Sequence, residues 1–223
     1  MKIFTLTASY LIASAEIILA LYFFSTSSKN TIRRVTGFLT LVTGLWVLTT
    51  TMAAYNASPW AFHLYQAAHI FGLLIVTILF HFALVFPTPK LRLDSLHLAL
   101  LFIPTVILSL ILIGSRVLLT SFTASATEAG VWYGGGMYWL YTTYLLVMYT
   151  VSIVFMMIRS RSLDGILRKN LRIVILSIVL GGFPAIVTDV IMPLFLNYGQ
   201  YALIGGFSSL AWLGITMYVV LRK

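Results

Sequence analysis

Long apolar stretches separated by short polar connections set the pattern of this chain. Seven stretches run at approximately 4–24, 35–54, 61–86, 95–114, 137–158, 173–193 and 201–221. At a rise of about 1.5 Å per residue, about 20 apolar residues cross the hydrocarbon layer of a bilayer. Backbone N–H and C=O groups in lipid must be satisfied within their own segment, so each stretch is expected to be a helix. The pattern predicts an all-α polytopic membrane protein, a seven-transmembrane helix bundle filling residues 1–223 as a single domain. No internal repeat or low-complexity segment divides it.

The connections alternate in character. Lys29, Arg33 and Arg34 lie between the first two stretches, Lys90 and Arg92 follow the third, and Arg222 and Lys223 follow the seventh. Arg159, Arg161, Arg168, Lys169 and Arg172 form a basic loop between the fifth and sixth. These twelve cations fall on one side, against Lys2 and Arg116 on the other. Short loops rich in Lys and Arg stay in the cytoplasm, so the N-terminus is expected outside and the C-terminus inside.

Composition supports lipid as the solvent: 61% of residues are hydrophobic and 9% charged, against about 25% charged in soluble domains. The net charge of +9 reads as topology signalling, because no basic domain stands outside the loops to meet a nucleic acid. With no cysteine in the chain, disulfides, thiolate metal sites and cysteine nucleophiles are excluded. Lys2 and Ala13-Ser14-Ala15 mimic a cleaved signal, but the apolar run continues to Phe24, which favours an uncleaved first span. The connection 115–136 carries Glu128, Trp132 and three consecutive glycines. It reads as a surface loop, with a lid over the bundle mouth as the alternative. Gly181, Gly182 and Pro184 predict a bend in the sixth helix, and Pro104 a kink in the fourth.

Charges within a bilayer need a reason. Two acids, Glu16 and Asp189, fall inside the spans. Counting residues places Glu16 about 18 Å, His69 about 12 Å and Asp189 about 6 Å from the outer side. Trp46 comes out near the level of His69. Tyr138 and Tyr141 share a face in the outer half of the fifth helix, either as interfacial anchors or as the wall of an apolar or aromatic ligand site. Glu16, Trp46, His69, Tyr138, Tyr141 and Asp189 are therefore the candidate ligand-binding residues. Each also has a plainer reading: a hydrogen-bonded core group, or for Asp189 a helix-end role. No catalytic residue stands out, and no cofactor is expected. His63 and His69 point about 240° apart on their helix, which argues against a metal pair. No Lys lies within a span to hold retinal. The remaining histidines, His81 and His97 on the inner side and His63 outside, fit interface positions.

Three segments carry a resemblance. They are Gly44-Leu45-Trp46 with His81-Phe82-Ala83-Leu84-Val85-Phe86-Pro87; Tyr138-Trp139-Leu140-Tyr141-Thr142-Thr143-Tyr144-Leu145 with Arg168-Lys169-Asn170-Leu171-Arg172; and Asp189-Val190-Ile191-Met192-Pro193 with Val220-Leu221-Arg222-Lys223. In this order they resemble the seven-transmembrane input region of bacterial and archaeal histidine kinases, relatives of which precede diguanylate cyclases. Asp189 departs from that pattern, which more often has an amide there. The resemblance implies a non-enzymatic sensory module in the plasma membrane, dimeric, reading a small-molecule ligand or a membrane state. It implies output through the seventh helix to a cytoplasmic signalling domain in cis or in trans. A small secondary transporter is the alternative; the Gly181-Gly182 and Pro184 break has no partner in a symmetry-related helix.

Overall fold

The computed structural model describes residues 2–26, 30–55, 60–88, 94–114, 119–124, 129–133, 136–191 and 202–222. For 2–3, 119–124, 129–133, 136–137, 189–190 and 202–204 it describes the backbone alone. Among the described residues there are seven α-helices: α1 Lys2–Thr26, α2 Thr31–Ala54, α3 Trp60–Val85, α4 Ser95–Gly114, α5 Gly136–Arg161, α6 Gly165–Ile186 and α7 Ala202–Leu221. Helices α1 to α6 are long and apolar enough to cross a membrane. Helix α7 is 20 residues long, and its Gly205–Leu221 portion is apolar. The chain is a multi-pass membrane protein, and this architecture is consistent with the plasma membrane.

Five helices close a ring in the order α2, α3, α5, α6, α7 and back to α2. Helix α1 packs outside the ring against α2 and α7, and α4 packs outside against α3. Helices α1 and α2 run antiparallel: on α2, Gly37 meets Phe23 and Phe24 while Gly44 meets Ala13 and Glu16. Ala13-Ser14-Ala15 thus sits mid-helix. The outward faces of α1 and α4 carry exposed apolar residues such as Leu11, Ile18, Leu100 and Ile107, as a lipid-facing surface requires.

Small residues set the closest approaches. A Cβ on Gly181 would lie 2.5 Å from Trp212 Cβ, and one on Gly182 would lie 2.7 Å from the Tyr149 hydroxyl. This pair is a packing surface for α7 and α5. Helix α6 continues to Ile186 and then widens into a π-helical turn, Val187–Ile191. Pro184 has no N–H to close the α-helical ladder there, and the Thr188 hydroxyl donates to Pro184 O at 3.0 Å.

The structure departs from the sequence pattern in two places. Helix α5 runs on to Arg161 and α6 begins at Gly165, so Arg159 and Arg161 lie on the last turn of α5, and Arg168, Lys169 and Arg172 on the first turns of α6, rather than in a loop. Gly165, at φ +55°, supplies the left-handed conformation at that entry, and Arg168 Nη2 pairs with Asp164 at 3.2 Å. The connection after α4 holds an antiparallel hairpin, β1 Leu119–Ala124 with β2 Ala129–Tyr133, pairing Phe122 with Val131. Its β-branched and aromatic residues favour strand. Glu128 lies outside the described residues.

Helix α3 ends at Val85, before Pro87, and its last carbonyls are capped from another helix. The Arg159 guanidinium on α5 donates to Ala83 O at 3.3 Å, to Leu84 O at 2.6 Å and to both Thr88 oxygens. Only a planar fork with several donors reaches all of these. We expect Arg159→Ala to lower stability by about 2 kcal/mol, the scale of charged hydrogen bonds. Arg159→Lys should fall between. Unfolding of the purified protein in mixed micelles measures both, and an unchanged midpoint for the alanine variant would show that the latch contributes nothing.

Asp94 caps α4. Its Oδ1 accepts from the His97 amide at 2.9 Å and from the His97 ring at 2.5 Å. The backbone hydrogen bond, then the ring contact, hold the carboxyl below its ordinary value of 3.8. A depressed carboxylate stabilises above its unfolded value, and that stabilisation is lost as pH falls through the lower folded value. The first turn of α4 is therefore expected to loosen only below pH 3.8. The His97 amide resonance should report it; a midpoint at or above the ordinary value would count against the cap.

Candidate binding cavity

The five ring helices line a partly open cavity of about 130 Å³. Helix α2 contributes Thr43, Trp46 and Thr50, and α3 contributes Tyr65, His69 and Gly72. Tyr141 and Tyr149 come from α5, Gly182 from α6, and Ser209 and Trp212 from α7. Among the described residues that line it, none is charged. The wall is mainly aromatic and aliphatic.

The placement follows from local chemistry. His69 Nδ1 lies 2.7 Å from Tyr65 O. A carbonyl only accepts, so Nδ1 carries the hydrogen and Nε2 of the neutral ring is the acceptor nitrogen. The His69 and Tyr141 rings meet at 5.2 Å between centroids. The Tyr141 hydroxyl passes close to Gly72, where a Cβ would be 3.0 Å away. Tyr149 is fixed by donation to Ile178 O at 2.8 Å.

Of the six residues singled out from sequence, Trp46, His69 and Tyr141 line the cavity. Tyr138 is buried behind Tyr141 and stacks on it at 5.8 Å. Glu16 reaches the cavity wall indirectly: Ser209, which lines it, lies 2.7 Å from Glu16 Oε1. The backbone of Asp189 belongs to the π-helical turn, while its side chain lies outside the described residues. The basic residues Arg159, Arg161, Arg168 and Lys169 gather at the far end of α5 and the start of α6. Of the other histidines, His63 contacts Gln66 at 3.1 Å, and Gln66 in turn donates to Leu112 O of α4 at 2.8 Å. Thr50, Ser209, Trp212 and Tyr149 were not legible as cavity residues. Hydroxyls and aromatics are common in every span, and nothing in their spacing marks these four.

The Glu16–Ser209 contact ties α1 to α7 within the bilayer. The Ser209 hydroxyl has one hydrogen, yet Gly206 O and Glu16 Oε1 both lie 2.7 Å from its oxygen. One hydrogen does not serve two acceptors fully. The Ser209 hydroxyl is therefore shared between Glu16 Oε1 and Gly206 O, and neither acceptor receives a full hydrogen bond from it. Glu16 is almost fully buried, and among the described residues its Oε2 has no hydrogen-bond partner, which an uncharged carboxyl tolerates better than an ion.

Among the described residues no three of His, Asp and Glu converge as metal ligands. The site offers hydroxyl, imidazole and aromatic faces.

Ser209→Ala is expected to cost about 1–3 kcal/mol, because it leaves a buried carboxyl without its partner. Glu16→Gln, neutral and of the same shape, should cost less. A larger loss for Glu16→Gln than for Ser209→Ala, measured by the same micellar unfolding, would show that the carboxyl is needed as a charge. Family models, curated proteins and solved structures were compared with the chain, and none matches.

Proposed function

We propose that this chain is the membrane-embedded sensory input unit of a signalling protein of the histidine-kinase type, reading a small ligand in the five-helix cavity. In this reading the basic end faces the cytoplasm, the N-terminus lies outside, and the unit is a non-enzymatic homodimer. Output leaves through α7 toward Arg222, to a signalling domain in cis or in trans. Residues 1–223 act as one domain.

One observation carries the reading: α7 completes the cavity wall through Ser209 and Trp212 and runs from there to Leu221 beside Arg222 at the basic end. It meets α1 at Glu16–Ser209 and α6 at Gly181–Trp212 and at Ser177–Thr216, the last at 3.3 Å. A ligand touching Ser209 or Trp212 therefore acts on the helix that reaches the basic end. It moves that helix only by binding two arrangements unequally, and a tenfold preference corresponds to about 1.4 kcal/mol.

Transport is the second reading, favoured by the π-helical turn Val187–Ile191 beyond Pro184, since transporters place broken helices at their sites.

Both readings are open to test. The chain has no cysteine, so spin labels can be set at Ile158 and Leu221, both exposed. Ala68 is buried and lines the cavity, so Ala68→Phe fills it. The sensory reading expects the label distance to shift in Ala68→Phe, with no solute flux in proteoliposomes. Flux that Ala68→Phe blocks, with an unmoved label pair, would replace sensing by transport.

A further inference from the structure

We infer that the cavity takes a neutral, single-ring aromatic molecule bearing one hydroxyl, with Thr50 as its hydrogen-bonding partner. This rests on the reading of the cavity as a ligand site.

The inference starts from an exception. Along α2, five threonines give their hydroxyls to the carbonyl four residues back: Thr36 to Ile32, Thr40 to Thr36, Thr43 to Leu39, Thr49 to Leu45 and Thr51 to Val47. This is how a membrane helix hides hydroxyl groups. Thr50 does not follow. It is 6% exposed, its Oγ1 has no hydrogen-bond partner among the described residues, and it lines the cavity. A buried polar atom without a partner is costly, and a ligand hydroxyl meets that need.

Charge and size narrow the ligand. With no charged residue among the described lining, an ionic ligand would be left unpaired in an apolar site. The volume, about 130 Å³, is close to the roughly 150 Å³ of an engineered apolar cavity that accepts benzene. Trp46, Tyr65, Tyr141, Tyr149 and Trp212 surround it, so a flat ring finds stacking and edge contacts on several sides.

The test is calorimetric titration of the full chain in lipid nanodiscs, with empty nanodiscs subtracting partition into lipid. The probes are phenol, benzene, cyclohexanol and benzoate. We expect saturable, protein-dependent binding of phenol, with benzene about five-fold weaker for want of one hydrogen bond. Cyclohexanol should be weaker than phenol, and benzoate should not bind. Thr50→Val should erase the preference for phenol over benzene, and Thr50→Ser should keep it. If Thr50→Val does not fold, Thr50→Ser and the wild-type ranking decide. No protein-dependent binding of phenol, equal binding of cyclohexanol or benzoate, or a phenol preference that survives Thr50→Val would overturn the inference. If phenol fails while Ala68→Phe still moves the α7 label, the ligand class falls and the sensory reading stands. If Ala68→Phe leaves the label in place, the sensory reading falls whatever phenol does.

Discussion

Everything in this bundle depends on one constraint: inside a bilayer, each polar group must find its partner within the protein. The chain meets it in three ways. Threonine hydroxyls fold back onto their own helix, as on α2. Hydroxyls also cluster between helices: Thr77, Thr105 and Tyr144 join α3, α4 and α5 within 2.6–3.0 Å. Thr77 gives its hydrogen to Leu73 O, so its oxygen accepts, and the cluster has a direction. Long side chains from one helix cap the end of another, as Arg159 does for α3 and Gln66 for α4. Apolar burial drives little association when lipid is as apolar as the core. These few polar contacts and the close glycine approaches therefore decide which helices stay together.

Those polar contacts are unevenly distributed. Helices α3, α4 and α5 are joined by the hydroxyl cluster, and Arg159 joins α3 to α5 again at the basic end. Helix α7 relies more on close packing: it has the Glu16–Ser209 pair and the Ser177–Thr216 contact, while the Gly181–Trp212 approach and buried Leu213, Met217 and Val220 seat it against α6 and the core. The cavity lies between the two groups. A ligand there touches α3 and α5 at His69 and Tyr141 and α7 at Ser209 and Trp212.

Much of the fold was legible in the sequence, because spans are long and their signal sums over about 20 residues. Six spans are matched by apolar helices, and the seventh by α7. The start of α6 was misread because Arg168, Lys169 and Arg172 look like a loop when judged by charge. A helix can leave the apolar layer without ending, and helical propensity carries these residues into α6. The hairpin was missed because a connection of this length between helices offers no strong periodicity. For the site, counting residues put Trp46 and His69 at one level, and they do share a cavity. Helix neighbours are not encoded in span lengths, so the partner of Glu16 on α7 and the lining role of Thr50 are features of the structure alone. Thr50 is indistinguishable in sequence from the threonines beside it. Thr142 on α5 also lacks a partner for its buried hydroxyl among the described residues, and nothing in the structure explains it.

The place of the exceptions matters more than their number. Glu16 and Thr50 both depart from the rule that membrane-buried polar atoms are fully satisfied. They sit on α1 and α2, the first beside Ser209 and the second facing the cavity. A carboxyl that shares one hydroxyl hydrogen with a backbone carbonyl, and a hydroxyl with no acceptor, are each one hydrogen bond short of complete. A sequence selected for stability alone would place Val or Ala at position 50 at little cost. Retaining a hydroxyl that the bundle leaves unbonded has a physical rationale if something else completes it. The geometry confines that something to a molecule small enough for the cavity, uncharged like its walls, and able to share one hydrogen bond.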